Sequence, residues 1–249
     1  RYHPNDVRFQ LLPKSNLVIL AYFFKIASTF SSFSAIIKTT QQKGHSHYIM
    51  KIQEIQPVIL ASQSPRRRDI LQRHGVSIVL RPTHTDEHLP DGISPEDAVC
   101  LLSREKAEAC YREICPKEFR EGLIIAADTV VYKDEILGKP KDEKDAFRML
   151  SSYRNTSHQV MTGVTLIDIQ SGAIHSFCET THIRCKDYSD EDIWNYIRER
   201  RPFDKAGAYG IQEDFSKYID RCDGDFENVV GLPFPRLARE TDEFTEKIR

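Results

Sequence analysis

The sequence has no CxxC pair and no His-flanked cysteine spacing, so its six cysteines (Cys100, Cys110, Cys115, Cys178, Cys185, Cys222) do not outline a zinc site. Its 11 glycines and 12 prolines in 249 residues are too few for a loop-rich disulfide scaffold. The cysteines therefore read as reduced thiols of a cytosolic protein, each a small buried apolar residue. A charge excess is lacking as well. At a net charge of −2 the overall balance gives no reason to expect DNA or another polyanion as the main partner. A small anionic ligand stays open, because it needs only a local basic pocket. No internal repeat or low-complexity segment follows Met50. With 40% hydrophobic and 29% charged residues, the chain can bury the core of one large or two small domains.

One absence is local. Residues 1 to 49 carry Arg1, Arg8, Lys14, Lys25, Lys38 and Lys43 against the single acid Asp6, and every other acidic residue lies beyond Met50. The same segment holds an apolar, hydroxyl-rich run from Leu17 to Ile37. Lys25 interrupts it, and Ser28, Thr29, Ser31, Ser32 and Ser34 dilute its second half, whereas a spanning helix needs about 20 mostly apolar residues. A transit-type leader suits this composition better than a membrane span. A third reading, an upstream extension, is favoured: the chain starts at Arg1 without an initiator, and Met50 stands just before the first clear strand. The expected division is an N-terminal extension outside the fold over 1–49 and a single folded domain over 50–249, with no membrane association of the latter.

From Met50 onward the pattern predicts strands and helices in alternation, then hairpins. Val58 to Ala61 is a short apolar strand; Ser64-Pro65 reads as a side-chain cap and first helical position, and Gly75 ends that helix. Ser77 to Arg81 is a second strand. Ser94-Pro95 starts a helix running to about Ile114, with Lys106 the odd charge on its apolar side. Leu123 to Tyr132 is a near-continuous apolar strand turning into Ile136-Leu137, and Asp142 caps a helix to about Ser152. Ser157 to Ile169 and Ala173 to Cys185 form a hairpin around Gln170-Ser171-Gly172. A helix from Ser189 to Arg200, a loop from Asp204 to Gln212, a strand near Lys217 to Arg221 and a helix from near Pro233 complete the chain. The order implies a mixed α/β sheet with two lobes.

Four features carry chemistry. The strand that runs into the Ser64 helix start presents unpaired N–H groups and a positive dipole end, and Arg66, Arg67 and Arg68 add donors suited to phosphate oxygens. Three like charges in a first turn are unfavourable in an ordinary solvated helix, which argues for a ligand. Asp128 interrupts an apolar strand, where a bare carboxylate is costly, so it is expected at the edge of a cleft whose apolar walls raise its basicity, able to hold a metal or take a proton. Lys106 and Lys139 can neutralise phosphate charge. Asp204 to Gln212 combines small residues, charge, the Tyr209 ring and an amide, as a loop binding both base and phosphate would.

These residues resemble the Maf family of nucleotide pyrophosphatases, also called septum formation inhibitor-like. The strings run in family order: LASQSPRRRDIL from Leu60, TDE from Thr85, REKA from Arg104, AADTVV from Ala126, GKP from Gly138, HQVMTGV from His158, DKAGAYGIQ from Asp204 and NVVGLP from Asn228. The resemblance implies an elongated twisted α/β sheet with flanking helices and a cleft between two lobes. It also implies a homodimer, and metal-dependent hydrolysis between the α- and β-phosphates of a nucleoside triphosphate. Asp128 would accept the proton of the attacking water. Ser62, Ser64, Arg67, Lys106, Lys139 and Lys205 would line the phosphate site, and Asp128 with Glu87 would position Mg²⁺ or Mn²⁺. Arg66, Thr129 and Gln212 are similar to the branch acting on dTTP and UTP. Leu150 to Thr156 and Glu213-Asp214 depart from the family's usual Ser-Gly turn and glycines. Two alternatives stay open: a pyrophosphatase for non-standard purine triphosphates, and a nucleotide-binding regulator of cell division without turnover.

Overall fold

The computed structural model describes residues 49–248 apart from His84, Asp86, Glu87 and Pro116. The expectations for the 1–49 extension and for Glu87 therefore lie outside the described residues, except that Ile49 opens a short helix, α1 (Ile49–Glu54). That helix had no sequence signal. Six residues make fewer than two turns, and the helix is fixed by packing on the C-terminal helix, with Ile52 fully buried.

A seven-stranded mixed sheet organises the rest, confirming the mixed α/β architecture. Strands β1 (Val58–Leu60) and β2 (Ile78–Leu80) are parallel to each other, and β1 is parallel to β3 (Leu123–Lys133). Strand β4 (Glu135–Leu137) folds back on the end of β3. The long antiparallel strands β5 (Ser157–Asp168) and β6 (Ile174–Cys185) follow, and β7 (Ile219–Asp223) closes the far edge. The β5–β6 turn forms as its sequence indicates: Asp168 Oδ2 accepts from Ser171 N–H at 2.8 Å, and Gly172 takes φ 70°. Strand β7 begins later than expected because Lys217 and Tyr218 belong to a 3₁₀ turn (Asp214–Tyr218).

Helices α2 (Pro65–Arg73), α3 (Pro95–Ile114), α4 (Glu143–Tyr153) and α5 (Asp190–Arg200) form where the cap signals place them. Ser94, Asp142 and Ser189 each accept from the backbone three residues on, and Ser189 with Asp192 makes a reciprocal capping box. Ser64 is a correction: it stands at the cap position of α2 but its side chain makes no capping hydrogen bond, and its backbone N–H donates to Ser62 Oγ at 3.2 Å. Helix α6 (Phe226–Val230) was not anticipated, and α7 (Phe234–Ile248) was.

Strand β3 is buried on both faces. Leu123, Ile125 and Ala127 enter the large core, while Ile124 and Ala126 enter a smaller one beneath α3, the period-two alternation of a pleated strand. Asp128 is thereby turned toward α3 and Thr129 away from it. How closely α3 lies on the sheet is set by Gly163, the residue paired with Asp128 across β3 and β5. A β-carbon on Gly163 would stand 2.2 Å from the Val99 carbonyl oxygen and 2.7 Å from Cys100 N. Farther along α3, Ser103 Oγ meets Thr165 Oγ1 at 2.9 Å and Ala107 is fully buried.

On the other face, an aromatic group supports the 204–212 loop. Tyr153 OH donates to Gly207 O at 3.1 Å, and the Tyr209 hydroxyl lies 2.7 Å from His158 Nε2. His158 is buried, and that burial, with the Lys133 charge adding, pulls its pKa down to about 3.

Two predictions follow from this packing. Gly163→Ala has no room and loses about 3 kcal/mol or more in denaturant unfolding, whereas Gly138→Ala, with nothing within 4 Å of the new carbon, shifts stability by less than about 0.5 kcal/mol. For His158 the folded pKa of about 3 lies below the unfolded value near 6.5, so its contribution is complete above pH 6.5 and lost as pH falls toward 3. Asp225, pushed up to about 6 by burial, works in the opposite sense: it favours the fold below pH 3.8 and loses that contribution as pH rises through 6. The difference between wild type and His158→Gln isolates the histidine. Unfolding free energies measured from pH 7 to 3 should converge, the wild type losing several kcal/mol more than the variant.

Candidate active site

Strand β1 stops at Leu60 opposite Ile125, and β4 pairs β3 only from Val131 onward. Between them Ala127 to Val130 have no strand neighbour on that edge among the described residues. This gap is why a carboxylate can stand in an otherwise apolar strand. It opens a cleft of about 790 Å³, within the range of small-molecule sites. Of the residues singled out in the sequence, Ser62, Ser64, Arg66, Arg67, Lys106, Asp128, Thr129, Lys139, Lys205 and Gln212 all line it. Thr85 lines it as well, next to the undescribed Asp86 and Glu87.

Lys106 meets Asp128 in a direct ion pair, and each side chain is 14% exposed. The environment of Asp128 thus differs from the apolar walls expected: its nearest charged neighbour is an ammonium. The geometry follows from the helix, whose side chains lean toward its N-terminus. Lys106 precedes Ala107, packed near Ala126, and leans back along β3 to Asp128.

Arg67 is held by three protein groups. Its Nε donates to Gly231 O at 2.8 Å, Nη1 to Ser62 Oγ at 3.1 Å and Nη2 to Thr129 Oγ1 at 3.1 Å. Thr129 and Thr162 hydroxyls lie 2.9 Å apart, and Thr162 Oγ1 donates to Asn228 O at 2.9 Å. Since Thr162 has one hydroxyl proton and spends it on Asn228, Thr129 donates to Thr162 and accepts from Arg67. Asn228 Nδ2 in turn donates to Val160 O and to Thr181 Oγ1, both at 3.0 Å. Thr162 and Asn228 are supports that sequence reasoning left without a role. Both sit inside the quoted strings, but nothing in their residue type marks them.

On the opposite wall, Arg66 Nη1 donates to Asp204 Oδ2 at 3.0 Å. Lys205 Nζ donates to Asp204 Oδ1 at 2.8 Å and lies 3.3 Å from Glu213 Oε1. Burial works to raise the Asp204 carboxyl, but the hydrogen bonds from Lys205 and Arg66 outweigh it and hold the group below the usual carboxylate range. Gly207, at φ 69°, is needed for its conformation and its space, since a β-carbon would stand 2.4 Å from Val131 Cγ2. Its N–H donates to Gly138 O at 2.9 Å, tying this loop to the segment carrying Lys139. Lys139 is exposed and makes no ion pair with any described residue. Gln212 is exposed at the rim. Tyr209, expected to face a ligand, lines the inner wall of the cleft with its ring mostly buried against Phe215 and His158.

Among the described residues no group of three or more His, Cys, Asp or Glu is clustered as for a metal ion. Mg²⁺ is commonly held by one or two carboxylates together with substrate phosphates and water, and Asp128 in the cleft fits that donor set. No described helix is long and apolar enough to cross a membrane.

The chain has sequence relatives among known proteins. The Maf-like protein family profile matches residues 57–244. A dTTP/UTP pyrophosphatase of Carboxydothermus hydrogenoformans is 41% identical over 188 residues, covering 75% of this chain and 98% of that protein. Proteins of the same name from Geobacillus sp. (41% identical, 74% of this chain and 95% of that one) and Syntrophomonas wolfei (44%, 72% and 92%) align similarly. Among solved structures, a nucleoside-triphosphatase, dITP/XTP pyrophosphatase, from Mycobacterium abscessus superposes with a TM-score of 0.32 at 14% identity, covering 52% of this chain and 72% of that one. A likeness that loose decides nothing here.

Proposed function

The chain belongs to the Maf-like protein family, and we propose that it hydrolyses dTTP and UTP to the monophosphate and pyrophosphate, a nucleotide-pool house-cleaning role. The observation that carries this reading is the cleft itself. Two carboxylates, Asp128 in the gap of β3 and Asp204 on the facing loop, line it with Lys106, Lys139, Lys205, Arg66 and Arg67, which leaves cations in excess. That is the charge complement a tetra-anionic triphosphate needs.

In this reading Asp128 takes a proton from the water that attacks the α-phosphorus, and the bond from that phosphorus to the bridging oxygen breaks, releasing pyrophosphate. Lys106 orients the Asp128 carboxylate through their ion pair. Lys139 and Lys205 face the leaving group and offset its charge, while Ser64 Oγ, not spent on capping, can donate to a phosphate oxygen. Arg67, fixed by Ser62, Thr129 and Gly231, shapes the wall against which the phosphates rest. A divalent metal, Mg²⁺ or Mn²⁺, would supply further neutralisation of the phosphate oxygens, with Asp128, and Glu87 by family resemblance, as its protein ligands.

Gln212 at the rim can read the base. Its amide offers a donor and an acceptor, matching the carbonyl and N3–H edge common to thymine and uracil. The 5-methyl group alone gives little discrimination, so both bases are accepted. We extend the proposal to a homodimer acting in the cytoplasm, a reducing compartment that suits six free cysteines.

Pyrophosphate release from dTTP, UTP, CTP, dATP, GTP, 7-methyl-GTP and ITP, with Mg²⁺ or Mn²⁺, tests the assignment. Turnover of dTTP and UTP should lead the panel, and Asp128→Asn should lower their kcat by about 100-fold or more. ITP outrunning dTTP would move the chain to the purine-cleaning reading. Nucleotide binding without turnover would move it to the regulatory one.

A further inference from the structure

The loop bearing Lys205 brings its own counter-charge. Asp204 shares its two oxygens between Arg66 and Lys205, and Glu213 adds a second carboxylate to the same ammonium. Two cations and two carboxylates form one net-neutral cluster, with the Lys205 side chain only 10% exposed. The position of Glu213 is built rather than incidental. Its N–H donates to Gly210 O at 3.1 Å and its carbonyl accepts from Ser216 N–H at 2.9 Å. Its carboxylate folds against Gly210, so that a β-carbon there would stand 2.8 Å from Glu213 Cδ. Glu213 is absent from the cleft lining and reaches Lys205 from behind.

Such a carboxylate has two opposing effects on anion binding. It helps to hold the ammonium in place, and it repels the anion the ammonium attracts. Asp204 decides between them. It binds Lys205 at the shorter distance, 2.8 against 3.3 Å, and stays when Glu213 is changed, so Lys205 keeps its position. The repulsion has no such backup, and it acts on every negative charge brought to Lys205.

We propose that Glu213 is an affinity-setting residue whose charge, placed behind Lys205, weakens the hold of the cleft on phosphate groups and on pyrophosphate in particular, so that product leaves. This rests on the pyrophosphatase reading above, with Lys205 at the leaving group.

Glu213→Gln keeps the size and an acceptor for Lys205 and removes only the charge. The KM for dTTP and the inhibition constant of pyrophosphate should both fall, by about three- to tenfold, with no rise in kcat. Calorimetric titration with inorganic pyrophosphate, Mg²⁺ present, should show the same tightening without any turnover. Glu213→Asp, which keeps the charge, should stay near wild type. In a Lys205→Met background, Glu213→Gln should leave pyrophosphate affinity unchanged, since the cycle removes the coupled partner. Unchanged or weaker pyrophosphate binding by a Glu213→Gln protein that melts like wild type overturns the proposal. If wild type turns over dTTP and only this shift is missing, the role of Glu213 fails alone. If the shift appears but no nucleotide releases pyrophosphate, Glu213 sets anion affinity alone, and its part in product release falls with the enzyme reading.

Discussion

The close approach of α3 to the sheet at Gly163 is the constraint on which the site depends. Gly163 sits directly across from Asp128, and the backbone of Val99 and Cys100 occupies the space its side chain would need. A helix held farther from the sheet would carry Lys106 away from Asp128. The small contacts continue along α3 through Ser103 and Ala107, so the helix is seated over several turns rather than at one point. The acid in β3 therefore has a partner because of a residue on the neighbouring strand β5, and that residue matters by what it lacks.

A second dependency runs through hydroxyl groups. From Arg67 a directed chain of hydrogen bonds passes through Thr129 and Thr162 to the carbonyl of Asn228, while Arg67 Nε reaches Gly231 beyond it. Strings far apart in sequence are thus parts of one object. The segment from Asn228 to Pro233 carries no charged side chain, yet it sets where the Arg67 guanidinium points. Buried polar networks of this kind are costly when one member is lost, since the remaining groups stay desolvated without a partner.

Much of this was legible in the sequence, for identifiable reasons. Ser94, Asp142 and Ser189 announce helices because capping is a local interaction between neighbours in the chain. Asp128 announces a site because a carboxylate within an apolar strand needs an explanation. Other features depend on contacts distant in sequence and left no local trace. Helix α1 forms against the C-terminal helix α7. Tyr209 lies in a loop that looks ligand-facing, but its hydroxyl is drawn inward by His158, 51 residues before it. The ammonium next to Asp128 was named as a phosphate ligand, not as the partner of the acid, because spacing along two elements does not reveal how they cross.

The distribution of charge has a consequence for selectivity. Arg66 and Lys205 arrive with Asp204 and Glu213, and Lys106 arrives with Asp128, so most of the cationic wall is balanced before any ligand enters. A fully unbalanced cluster of cations would repel itself and destabilise the loops that carry it. Balancing them lowers that cost and also lowers affinity for anions of small charge, since a single negative group must compete with a carboxylate already in place. An anion bearing several charges on adjoining phosphates engages several such cations at once and gains where a monoanion does not. In the proposed reaction that difference lies between the triphosphate, which binds, and the nucleoside monophosphate, which is released. The carboxylates of the cleft then contribute to turnover as much through the binding they prevent as through the proton Asp128 accepts.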